Sequence, residues 1–128
     1  MIIGVTGSRN WASQHAIDRL CDFLIENDVT EFHHGDCVGW DHIAWGFANA
    51  YGAKTVAHPP DIDTFRAFTK SNIVLPPKPY LDRNKDIVNS VDFLIAAPDG
   101  PEKVRSGTWS TIRYAKSVGV KGVIYRSW

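Results

Sequence analysis

Short apolar runs alternate with amphipathic helical stretches along the whole 128-residue chain, and that alternation constrains the fold more than any other feature. MIIGVT (1–6), EFHH (31–34), KTVAH (54–58), DFLIAAP (92–98) and GVIYR (122–126) read as strands, the first a continuous apolar run of the kind buried in parallel sheets. Between them, residues 14–27 carry Ile17, Leu20, Cys21, Leu24 and Ile25 at helical spacing, and residues 41–51 carry Ile43, Ala44, Phe47 and Ala48, with Gly52 as a stop. Asp82 can cap a third helix bearing Ile87, Val88 and Val91; a fourth starts in RSGTWSTIRYA (105–115) and stops at Gly119. The order predicts one α/β domain over 1–128, a Rossmann-like doubly wound sheet of about five parallel strands with helices on both faces. Only residues 59–79, with five prolines, read as irregular, though FRAFTKSN could hold a short helix.

Composition narrows the function. Apolar residues make up 44% and charged residues 22%, with no repeat or low-complexity run, as in ordinary globular domains. The five-residue apolar run at Met1 lacks a basic flank and is too short for a signal peptide or membrane span, so a cytoplasmic protein without membrane partners is expected. Two cysteines make no disulfide framework: Cys21 reads as core, and Cys37 as a loop residue or, less simply, a nucleophile. Formal net charge is zero, against a general duplex-DNA binder. Residues 1–64 nevertheless hold three basic and nine acidic side chains, and residues 65–128 eleven basic and five acidic. A basic second half leaves room for a small phosphorylated ligand.

In doubly wound sheets ligands sit at the carboxyl ends of the strands. Four polar segments follow strand ends here and should converge on one rim: TGSRNW (6–11), HGDCVGWD (34–41), the loop leading to DRN (82–84), and DGPEKVRSGT (99–108). In the first, Gly7 lets the backbone approach a ligand, and Ser8 and Arg9 add a hydroxyl and a guanidinium. In the second, Gly35 and Gly39 loosen the loop, Asp41 is placed to cap the following helix, and Asp36 is left for a sugar hydroxyl. His33 and His34 lack a third ligand at suitable spacing, so no metal is expected. Arg83, beside Asn84, is a cation in a helix's first turn, where the dipole does not favour it. Arg105, Ser106, Gly107 and Thr108 open a helix whose unpaired N–H groups and positive dipole end suit a phosphate. Trp11, Trp40 and Trp109 are candidates to stack on a base, or core or oligomer-interface residues.

VTGSR, HGDCVGWD, LDRNKDIV, DFLIAAPDG and RSGTWSTIRYA fall in the order and spacing of the SLOG superfamily, and over residues 2–125 the chain resembles its YspA-like branch most. The resemblance implies a nucleotide-binding Rossmann-like fold, often dimeric, so a homodimer or higher homo-oligomer is expected, with no cofactor. The Lonely Guy phosphoribohydrolases of this superfamily cut the N-glycosidic bond of nucleoside monophosphates. They are similar to this chain at Arg83, which by that likeness would be catalytic, and at Gly107–Thr108. Their pattern places a glutamate three residues after that threonine, where Thr111 stands here. Glycosidic cleavage needs a carboxylate near the sugar. Glu102, Asp99 or Asp36 could stand in, Glu102 first among them. The expectation is therefore a small-nucleotide binder, with a phosphoribohydrolase of relocated acid as the alternative and single-stranded DNA binding as the weakest. Removing Arg83, or placing Asp at Gly107, should weaken binding and spare the fold.

Overall fold

A computed structural model describes residues 1–10, 12–126 and 128. The elements are β1 (Ile2–Gly7), α1 (Gln14–Glu26), β2 (Glu31–His34), α2 (Trp40–Tyr51), β3 (Lys54–Ala57), a 3₁₀ turn (Asp63–Phe65), β4 (Ile73–Val74), α3 (Tyr80–Asn89), β5 (Phe93–Ala97), α4 (Gly107–Val118) and β6 (Lys121–Ile124). All described strand pairs are parallel, in the order β4-β3-β2-β1-β5-β6. The α/β Rossmann-like expectation holds, with a sixth strand added. That strand, β4, comes from the proline-rich stretch and pairs Ile73 with Val56 and Val74 with Ala57. Two residues carry no readable period, which is why the sequence hides it.

The rest of that stretch is neither free nor helical. Beyond the three-residue 3₁₀ turn, FRAFTKSN spends its polar groups on the β2–α2 loop: Ala67 N–H donates to the Asp36 carbonyl (2.7 Å), and Thr69 N–H to the Asp36 carboxylate (3.0 Å). A backbone bound to a neighbouring loop cannot also close its own helical turns.

Ile3, Val5, Leu20, Leu24, Phe32 and Trp40 form the larger core, on the side of α1 and α2; Val88, Leu94 and Ala115 pack on the side of α3 and α4. Two expected core residues are surface residues. Ile25 is 74% exposed, because it follows Leu24 by one position, about 100° round the helix. Phe47 is 41% exposed for the same reason beside Ala48. Gly52 and Gly119 do end their helices, both left-handed (φ 102° and 80°). Asp41 and Asp82 do not cap: Gly39 and Pro79 occupy those positions.

After β1 the chain adds β2, β3 and β4 outward on one side, then returns to place β5 and β6 on the other. The order therefore reverses between β1 and β5, and their carboxyl ends splay open a crevice.

Candidate functional site

At that crevice lies a cavity of about 410 Å³, within the range of small-ligand sites. The turn after β1 forms one wall. Ser8 N–H donates to the Ala97 carbonyl of β5 (3.1 Å), holding the turn to the neighbouring strand. Its hydroxyl accepts from Asn10 N–H (3.1 Å) and donates to Asp99 (3.3 Å). Glycine is required at Gly7, where a Cβ would sit 2.8 Å from the Ala97 carbonyl and against the Trp40 ring. Arg9, exposed, lies over the Phe65 ring with 4.0 Å to its centroid.

The start of α4 forms the opposite wall. Ser106 caps it, accepting from Trp109 N–H (3.2 Å), and Arg105, Gly107 and Thr108 line the cavity beside it. The first N–H groups of any helix lack intrahelical acceptors and carry the positive end of the dipole, so this wall presents donors to an anion. Thr111 lies one turn inside, 2% exposed, its hydroxyl donating to the Gly107 carbonyl (2.8 Å). It holds the helix and does not reach the cavity.

The floor is the β2–α2 loop locked by Arg83. Arg83 is 6% exposed, and its guanidinium donates to the Gly35 carbonyl, the His58 carbonyl (3.1 Å), Cys37 Sγ (3.4 Å) and Asn84 Oδ1 (2.6 Å). A side chain at Gly35 would put its Cβ 2.7 Å from Arg83 Cζ and 2.8 Å from Asp41 Oδ2. That Oδ2 accepts from Gly35 N–H (3.1 Å) and Cys37 N–H (3.4 Å), so Asp41 ties the loop rather than capping α2. Its Oδ1 is buried without a hydrogen-bond partner. Burial pushes the Asp41 carboxyl up to about 6, with Arg83 and the two amides pulling the other way. Burial and Asp41 likewise raise the Cys37 thiol against the pull of Arg83, which leaves it protonated and a poor nucleophile at neutral pH.

Gly7, Ser8, Arg9, Gly35, Asp41, Arg83, Asn84, Arg105, Ser106, Gly107 and Thr108 thus line one cavity, as the four-segment reading expects. Two expected residues do not join them. Asp36 is 1% exposed and turned away: its carboxylate holds Arg66 Nε (2.9 Å), Thr69 N–H (3.0 Å) and Thr69 Oγ1 (2.8 Å), so it anchors the 59–79 segment and offers nothing to a sugar. Glu102 lies outside the lining and pairs with Arg113 (2.9 Å) on the surface. Of the three carboxylates proposed to stand in for the glutamate missing at Thr111, only Asp99 borders the cavity.

The tryptophans also fall elsewhere. Trp40 is fully buried, and Trp109 is 6% exposed with its indole N–H on the Gly100 carbonyl (3.1 Å), so neither face is open to a base. Trp11 lies outside the described residues. The aromatic in the cavity wall is Tyr80, half-buried beside Leu81, with the Arg83 guanidinium 5.1 Å from its ring centroid. The signal was present as YLDRN, where Tyr80 and Arg83 share a helix face three residues apart.

The histidines are engaged with one another. His33 Nδ1 lies 2.7 Å from His58 Nε2 and its Nε2 3.0 Å from Glu31, while His34 Nε2 meets Ser71 Oγ at 2.8 Å. Burial pushes His34 down to about 3 and His58 down to about 4, so both are neutral at pH 7. Among the described residues no group of three or more His, Cys, Asp or Glu is arranged to hold a metal, and no helix is long and apolar enough to cross a membrane. A second cavity, between α4 and β6, is walled mainly by apolar side chains, Leu94, Ile112, Ala115 and Val123 among them, with Lys116 and Lys121 at its lining.

No family model and no curated protein matches the chain. Solved structures do. The molybdenum cofactor binding protein of the phototrophic bacterium Rippkaea orientalis superposes with a TM-score of 0.77 at 20% identity, over 99% of this chain and 77% of that one. The Moco carrier protein of Chlamydomonas reinhardtii gives 0.72 at 22% identity, over 96% and 74%. DNA processing protein A of Streptococcus pneumoniae gives 0.71 at 22% identity, over 96% of this chain but only 49% of its own length. At such identities the likeness shows the fold alone, the Rossmann-like α/β fold that the order of elements predicts.

Proposed function

We propose that this protein, as a YspA-like member of the SLOG superfamily, binds a small nucleotide or nucleotide-derived signal in the rim cavity. One observation carries the reading: three arginines and a helix start meet in a cavity at the switch point of the sheet. In this reading the phosphate lies against Ser106, Gly107 and Thr108 with Arg9 and Arg105 over it, and the base stacks on Tyr80. Arg83 shapes the floor and supplies positive potential, since its donors already serve protein acceptors. Neighbours named for binding or carrying the molybdenum cofactor support a ligand site on this fold. The superfamily resemblance supports a homodimer or higher homo-oligomer.

Cleavage of the N-glycosidic bond is the second reading, and Asp99 in the cavity wall is the observation that favours it. Ser8 holds its carboxylate (3.3 Å), where it could stabilise an oxocarbenium-like centre or activate water. Single-stranded DNA binding, in the manner named for a Helicobacter pylori neighbour, finds little support in a neutral chain.

The test is to mix the protein with nucleoside mono-, di- and cyclic phosphates and follow retained ligand and released base by mass spectrometry. A nucleotide retained intact is the expected result. Free base that disappears in Asp99→Asn would make the protein an enzyme, and no retention of any nucleotide would overturn both readings.

A further inference from the structure

The three arginines of the cavity differ in what holds them. Arg83 has spent its donors on the carbonyls and the thiol of the floor. Arg105 is exposed, and among the described residues it has neither a hydrogen bond nor a ring contact. Arg9 combines the two conditions. None of its guanidinium donors is engaged among the described residues, yet the group is held, with Cζ 4.0 Å from the Phe65 ring centroid. An aromatic ring takes the face of a guanidinium and leaves the in-plane N–H fork free, the part that matches two phosphate oxygens.

Burial does not put Phe65 there. It is 37% exposed, on a 3₁₀ turn of three residues. The β2–α2 loop does, because it grips both partners two residues apart. Val38 N–H donates to the Phe65 carbonyl (2.9 Å), and Trp40 N–H to the carbonyl of Ser8, next to Arg9 (2.9 Å). Beyond Phe65 the chain is latched again, with Arg66 and Thr69 on the buried Asp36 carboxylate. Two residues of this joint take the left-handed backbone, Asp36 (φ 55°) and Phe68 (φ 54°), a conformation uncommon for Asp and an outlier for a bulky Phe. Such strain persists only where the surrounding contacts over-determine it, and it gathers at functional sites. What this joint delivers toward the cavity is an exposed ring beneath a cation with free donors.

We propose that Phe65 is a positioning residue of the anion site: the 59–79 segment, latched to Asp36, presents its ring as the platform that fixes Arg9 with its N–H fork free for a phosphate. The inference rests on the phosphate-binding reading of the cavity. It gives the segment a part in the site although none of its residues lines the cavity. A loose arginine gives up rotamer freedom when it grips an anion; a stacked one has given up much of it beforehand.

The test is a double-mutant cycle read by calorimetric titration with AMP. Phe65→Leu removes the ring and keeps most of the apolar bulk, and Phe65→Tyr keeps the ring. Arg9→Gln should weaken AMP binding about tenfold or more, as loss of a charged fork to phosphate does. Phe65→Leu should weaken it about three- to fivefold, the size of an exposed cation–π contact. In the Arg9→Gln background the same Phe65→Leu change should have no effect, because the ring then has no cation to hold. Phe65→Tyr should bind like the parent. A loss from Phe65→Leu that persists without Arg9 makes Phe65 a structural residue only, and overturns the assignment while the cavity reading stands. Unchanged affinity in Arg9→Gln or in Phe65→Leu overturns it in the same way. No AMP binding by the parent overturns the nucleotide reading and this inference with it. If Phe65→Leu does not fold, the parent suffices: the ring should shift the Arg9 side-chain proton resonances upfield, and that shift should persist with saturating AMP. Its loss on binding would show that Arg9 leaves the ring to meet the ligand, which overturns the proposal.

Discussion

Two glycine-bearing loops on the same rim, HGDCVGWD and RSGT, look alike in sequence and are opposites in structure. In the first, a Cβ on Gly39 would meet the Ser8 carbonyl and Arg9 backbone at 2.6 Å, and one on Gly35 would collide with Arg83 and Asp41. In the second, a Cβ on Gly107 meets nothing within 4 Å. The β2–α2 loop is a closed joint in which charges serve one another, and the α4 start is an open surface in which they do not. The lesson is a division of labour: the closed loop builds the cavity, and the open one receives what enters it.

That contrast can be broken most severely at Gly39. Its backbone (φ 83°, ψ −130°) is one L side chains rarely adopt, and its Cβ space is filled by backbone. Gly39→Ala should cost about 4 kcal/mol and abolish the cooperative thermal transition at 37 °C and above. A variant that melts like the parent would show the loop is not closed.

Arg83→Ala comes next. It strips donors from the Gly35 and His58 carbonyls and removes the cation nearest Asp41, so denaturant unfolding should show a loss of about 3 kcal/mol. The sequence-level expectation that this change spares the fold is therefore replaced: lost binding in Arg83→Ala would not by itself locate the ligand.

Acid should act on the closed side of the molecule too. The folded His34 and His58 values lie below that of a free histidine, so the unfolded chain binds more protons below about pH 6.5 and stability falls as pH drops toward 4. Asp41 has the opposite sign: its raised value relieves the burial cost as pH falls through about 6. Two histidines outweigh one carboxyl, and between pH 7 and 5 the net loss should be about 2 kcal/mol by chemical denaturation. His58→Gln should flatten the slope; an unchanged slope would remove His58 from the account.

The smallest effect belongs to the open loop. Gly107→Ala should change stability by no more than about 0.5 kcal/mol, measured the same way, since the methyl group enters free space at the first helical position.

The strands β1, β2, β3, β5 and β6 and all four helices were legible because each carries enough apolar residues to show a period. β4 was not, since its pairing depends on Val56 and Ala57 across the sheet, a tertiary fact. The rim was legible because polar segments after parallel strands must gather at one edge. What could not be read was which charges the rim keeps for itself. Asp36 and Glu102 look as available as Asp41 and Asp99 until Arg66, Thr69 and Arg113 are seen to claim them. Trp40 and Trp109 mislead in the same way, because large aromatics serve cores as readily as ligands.

The measurement that bears most directly on the division between the two loops is the AMP affinity of Gly107→Asp. An aspartate at the first helical position suits the dipole and fits the open space, so the thermal transition should stay within a few degrees of the parent or rise. The same charge faces the place given to the phosphate, so affinity should fall at least tenfold. A stable Gly107→Asp protein that binds AMP as tightly as the parent would contradict the assignment of the α4 start as the anion site.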